Sequence, residues 1–160
     1  MKRFWANLWA ILALVTLFGC TATEGRTYYI DDSLTPEQRQ MAYDVGMAWN
    51  ARVGINGIRN DFVDDPADAD TIVSTRSKEW LTNAINQWCD GVYIRISGED
   101  HIVVRADAVN FRRIMDHEFG HSLGMMDHLP AGQAGLMDGG ATQEWGENDI
   151  RYCREKKVCQ

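Results

Sequence analysis

The chain has 160 residues, 45% of them hydrophobic, and a formal net charge of −7. That length suits one domain with a modest core. An acidic chain has no electrostatic footprint for nucleic acid, which excludes that partner class. The acidity is compatible with basic peptides, with bound calcium or with simple solubility, and composition alone does not choose among them.

The chain opens with Met1-Lys2-Arg3, a short positive region, followed by an apolar run from Phe4 to Phe18 with Asn7 inside it. The run is too short for a comfortable membrane span and reads as a signal peptide. Its end, Leu17-Phe18-Gly19-Cys20, resembles the bacterial lipobox. That resemblance implies cleavage before Cys20, acylation at that residue and attachment of the mature protein to a membrane. An ordinary secreted protein cut nearby, or an uncleaved anchor, is the alternative. Thr21, rather than Asp, follows the cysteine and favours the outer membrane in a Gram-negative host. With Cys20 lipidated, Cys89, Cys153 and Cys159 remain. Export favours one disulfide among these three thiols, with the pairing open.

Thr21 to Arg26 reads as a polar tether and Tyr28-Tyr29-Ile30 as a first strand. Thr35-Pro36-Glu37-Gln38 has the form of a helix start, with Thr as N-cap, Pro in the first turn and Gln three residues after the cap. Met41, Val45, Ala48 and Trp49 then line one face of a helix reaching about Arg52. Ile58 to Val63 reads as a second strand, Asp64 to Asp70 as a solvated acidic turn, and Thr71 to Ser74 as a third strand. The acidic turn lacks the D-x-D-x-D-G spacing of a calcium loop, so a calcium site is not readable there. Ser77 is placed to cap a short helix carrying Trp80, Ala84, Ile85 and Trp88.

Val92 to Ile96 alternates apolar and polar residues, Ser97 to Asp100 makes a turn, and His101 to Val104 is continuous enough for a strand buried on both faces. The pair reads as an exposed edge strand beside a more central one, feeding into a helix capped by Asp107. His101 is read as structural, and Asp116 as a solvated position. Glu147-Asn148-Asp149-Ile150 begins a last helix, to about Lys157.

The helix after Asp107 carries His117-Glu118-Phe119-Gly120-His121. Four residues is slightly more than one helical turn, so the two imidazoles share a face and can bind one zinc ion. Glu118, next to the first ligand, can act as general base on a water at the same ion. Phe111, Met115, Phe119 and Leu123 form the stripe that anchors this helix. Gly124 falls where a left-handed residue ends the helix and turns the chain back. Asp127 and His128 follow, then Leu136-Met137-Asp138-Gly139-Gly140.

This extended pattern resembles the metzincin metalloproteases, with H-E-x-x-H-x-x-G-x-x-H and a Met-turn. Asp127 stands where most metzincins carry their third His. In that respect the chain is similar to the snapalysin-like small proteases, while HEFGHSL is equally close to the matrixins. The resemblance implies zinc ligands His117, His121 and Asp127, with Glu118 as base and Met137 beneath the metal as a hydrophobic floor. His128 competes with Asp127 if the loop shifts by one residue.

The implied fold is α+β: a mostly parallel twisted sheet with an antiparallel edge strand, an active-site helix, a Met-turn and a C-terminal helix. The implied division is a lipoprotein-type signal peptide over 1–19, a tether over 20–26 and a catalytic domain over 27–160. The implied function is a monomeric zinc endopeptidase acting on peptide or protein substrates, exported and held at the cell envelope by lipid, or secreted. Two alternatives stand beside it: a non-catalytic metal-containing binding lipoprotein, and a zinc hydrolase of a cell-wall amide. The intact Glu118 argues against the first, since a binding module has no need of a base.

Overall fold

The computed structural model describes residues 26–53, 60–85, 89–130, 132–139 and 144–159. The segment expected to be a signal peptide, Cys20, Ile58, Trp88 and Gly140 lie outside the described residues. Five strands, β1 (Arg26–Ile30), β2 (Asn60–Phe62), β3 (Thr71–Arg76), β4 (Gly91–Ile96) and β5 (Glu99–Arg105), form one sheet in the order β2-β1-β3-β5-β4. Every pairing is parallel except β4 with β5, which is antiparallel. Helices α1 (Pro36–Val53), α2 (Lys78–Ile85), α3 (Phe111–Ser122) and α4 (Glu147–Glu155) complete an α+β architecture among the described residues. None of these helices is long and apolar enough to cross a membrane.

The N-terminus of α1 is set by reciprocal bonds: the Gln38 N–H donates to Thr35 Oγ1 at 3.3 Å, and the Thr35 N–H donates to Gln38 Oε1 at 3.0 Å. Two orphan donors of the first turn are thereby satisfied. Ser77 caps α2, its Oγ accepting from the Trp80 N–H. α3 starts later than expected. Asp107 pairs instead with Arg105 Nε at 2.8 Å, and Asn110 is the residue at the cap. The turn Arg105–Ala108 occupies the intervening residues, closed by the Ala108 N–H on the Arg105 carbonyl. At the other end, α4 stops at Glu155, two residues short of Lys157, which adopts φ 60°.

β4 and β5 are a tight pair at the sheet margin. Residues Ile102, Val103 and Val104 of β5 are buried, whereas β4 is half-buried along its length with Arg95 exposed. Three strands are joined through Asp100: its carboxylate accepts from Arg95 Nε at 2.7 Å, Tyr93 Oη at 2.7 Å and Arg26 Nη1 at 3.3 Å. The core lies between the sheet and helices α1 and α3, with Tyr28, Trp49, Val73, Ile102, Met115 and Phe119 all fully buried. The four stripe residues Phe111, Met115, Phe119 and Leu123 are all buried. A buried bond from the Tyr28 hydroxyl to Ser122 Oγ, 2.8 Å, ties the end of α3 to β1.

Candidate metal centre

α3 presents His117 and His121 one turn apart, with ring centroids 4.6 Å from each other. The helix ends one residue after His121, at Ser122, in a paired closure of its last carbonyls. The Gly124 N–H donates to the His121 carbonyl and the Met125 N–H to the Gly120 carbonyl, with Gly124 at φ 107°. A residue with a Cβ is disfavoured at that φ, so glycine is what allows the chain to reverse there. The reversal brings the following loop back over the two histidines, and His128 joins them at 5.2 Å from each ring. One ligand atom from each of the three lies within 4.8 Å of the others. Among the described residues this is the group of His, Cys, Asp or Glu side chains that can share an ion.

Backbone carbonyls orient two of the rings. His117 Nδ1–H donates to the Leu136 carbonyl and His121 Nδ1–H to the Met125 carbonyl, both at 2.7 Å. A carbonyl only accepts, so each Nδ1 carries the proton and each Nε2 keeps its lone pair for a metal. Burial lowers the pKa of His117, and burial with the neighbouring His117 takes His121 down to about 4. Both rings are therefore neutral, the form in which imidazole ligates.

Glu118 is buried at the base of the same cleft, a cavity of about 510 Å³ that the three histidines, Gly91 and Tyr93 also line. Burial pushes its carboxyl up to about 8, opposed by the bond it accepts from the Tyr93 backbone N–H. Gly91 makes this approach of β4 to α3 feasible. A Cβ there would strike Ile114 and come 3.1 Å from Glu118 Oε1. Met137 is fully buried, with its sulfur 2.5 Å from where a Cβ on Gly120, the residue before His121, would stand.

The structure does not bring Asp127, the expected third ligand, into the cluster. Its side chain is 73% exposed and accepts from Lys156 Nζ at 2.8 Å, while His128, the competing residue, faces His117 and His121. Asp116 also departs from expectation: it is buried, not solvated, and pairs through both carboxylate oxygens with Arg52. His101 lies in β5 away from the cluster, 3.7 Å from Glu99. Of the cysteine pairings left open, Cys153–Cys159 is the one formed, and Cys89 is a free thiol lining the cleft.

Sequence reasoning missed the supports contributed by α4 and the loop before it. The Asp149 carboxylate accepts from the backbone N–H groups of Leu136, Met137 and Gly146. Asp149 thus fixes the turn whose carbonyl orients His117. The signal available was spacing: Asp149, Tyr152 and Lys156 recur at helical intervals on one face of α4. Compared with known proteins, the chain matches no family model and no curated protein.

Proposed function

We propose that the protein is a zinc-dependent endopeptidase of the metzincin type, with His117, His121 and His128 as ligands and Glu118 as general base. The observation that carries this reading is the convergence of three imidazoles with a buried carboxyl in one open cleft. Three imidazole nitrogens with room for a further position suit catalytic zinc. The pattern from His117 to His128 and the buried Met137 add the metzincin resemblance. Zinc bound there supplies a Lewis acid that lowers the pKa of water and polarises a carbonyl.

The chain's own residues do the rest. Glu118, buried beside the three histidines, takes a proton from the attacking water and passes it to the leaving amine. β4 is the edge strand beside it, and its outward backbone groups other than the Tyr93 N–H, which Glu118 holds, align an extended peptide by strand addition. Met137 fills the space under the histidines as an apolar floor. Export and attachment through Cys20 belong to the same proposal, on the resemblance of residues 17–20 to a lipobox.

The test is zinc content and casein cleavage measured on the same preparations of wild type, Glu118→Gln, His128→Ala and Asp127→Ala. Glu118→Gln keeps zinc and loses turnover by roughly 10²–10⁴-fold. His128→Ala loses both, and Asp127→Ala keeps both. Cleavage persisting in Glu118→Gln would sink the mechanism. Loss confined to Asp127→Ala would return the third place to the carboxylate. Zinc without cleavage of any peptide would favour the binding or non-peptide alternatives.

A further inference from the structure

Asp127 and His128 are adjacent, and both residue types ligate zinc, so something outside the loop has to decide which one faces the metal. Tyr152 of α4 and Lys156, the residue that caps its C-terminus, supply three contacts to Asp127. The Tyr152 hydroxyl accepts from the Asp127 N–H at 3.0 Å and donates to the Asp127 carbonyl at 2.8 Å, holding both backbone groups of that residue. Lys156, one helical turn further along, takes the Asp127 carboxylate at 2.8 Å while its ammonium lies 5.4 Å from the centre of the Tyr152 ring. On the far side of His128, the Leu129 N–H donates to the Met137 carbonyl at 2.9 Å. His128 is thus strung between two anchored neighbours.

We infer that Tyr152 and Lys156 are positioning residues that set the ligand register, turning Asp127 out to α4 and His128 in to the metal. This rests on the metal-centre reading above. Neither residue touches the cluster; both act through Asp127. The hydroxyl fixes the backbone on which both candidate ligands hang, and the ammonium removes the carboxylate from competition. Partners of this outer kind typically alter metal affinity by about 10–100-fold.

Titration with Co²⁺ alone, read by visible absorption and without any substrate, tests the inference. Wild type binds one equivalent with tetrahedral-type bands; failure to bind would overturn the metal centre and this inference together. Tyr152→Phe keeps the ring and its packing, weakens Co²⁺ about tenfold and shifts the bands, with far-UV circular dichroism unchanged. The decisive comparison removes His128 in two backgrounds. Alone, His128→Ala costs about a hundredfold in Co²⁺ affinity; with Tyr152→Phe and Lys156→Met it costs about tenfold, because Asp127 is released to take its place. Should the Tyr152 variant fail to fold, Lys156→Met, on a surface side chain, still lowers the His128→Ala penalty. A His128→Ala penalty equal in all folded backgrounds overturns the inference, even where wild type binds the metal normally.

Discussion

One residue before the first histidine, Asp116 makes a two-pronged ion pair with Arg52. The guanidinium lies 5.0 Å from the Trp49 ring and 5.2 Å from the Trp145 ring, and Trp49 Nε1–H donates to the Asp116 carbonyl at 3.0 Å. The Arg52 and Asp116 side chains are 20% and 12% exposed, so removing either leaves its partner largely desolvated. Arg52→Met therefore costs about 3–5 kcal/mol, and Arg52→Met with Asp116→Leu recovers most of it, since an apolar pair leaves no stranded charge. Urea denaturation of the two variants checks this; a single variant within about 1 kcal/mol of wild type would contradict it. The same residue shows where the sequence stops being readable. His117, Glu118 and His121 are legible because helical spacing alone puts the two imidazoles on one face. Asp116 was not, because its burial depends on α1 and on Trp145. Nor was the choice of His128 over Asp127, which turns on side chains 25 and 29 residues further along.

At the scale of elements, local chemistry placed what local chemistry controls. The Thr35–Gln38 cap and the Gly124 helix end were readable because their hydrogen bonds close within a few residues. Asp107 misled because a good cap residue also makes a good ion-pair partner, and Arg105 was nearer than the helix. The β4–β5 pair has its own electrostatic fastening in Asp100. Arg95 first, then Tyr93 and Arg26, hold this carboxyl at about 2, below its ordinary 3.8. The folded pKa is depressed, so Asp100 stabilises the fold above the unfolded pKa and loses that contribution as pH falls through the folded one. Asp100→Asn is expected to cost about 2 kcal/mol at pH 7, the equivalent of the shift, and the gap to wild type narrows between about pH 4 and pH 2. Denaturant midpoints across that range provide the check. A gap independent of pH would mean that Asp100 contributes shape and not charge.

Across the whole molecule, the sheet and the metal centre occupy successive parts of the chain. All five strands end by Arg105, whereas the three histidines, Met137, Asp149 and Tyr152 come after α3 begins. On the proposed zinc-site reading, treatment with a chelator is expected to leave the amides of β3 and β5 protected and to speed hydrogen exchange in 125–139 and α4. Mass spectrometry of the two forms reads this directly; a uniform change over the sheet would contradict it. The antiparallel β4–β5 pair was legible from its alternation and turn. The order β2-β1-β3-β5-β4 was not, because parallel pairing is settled by crossovers that no short pattern records.

The strand order also bears on how the protein is made. Chains are made from the N-terminus. Arg105 closes the last strand among the described residues, so every strand of the described sheet precedes His117, the first histidine of the cluster, in the chain. The later segment, which carries the histidine cluster, thus settles against strands that all precede it in the chain. A chain cut short after α3 would carry two of the three histidines and none of the α4 side chains that aim the third.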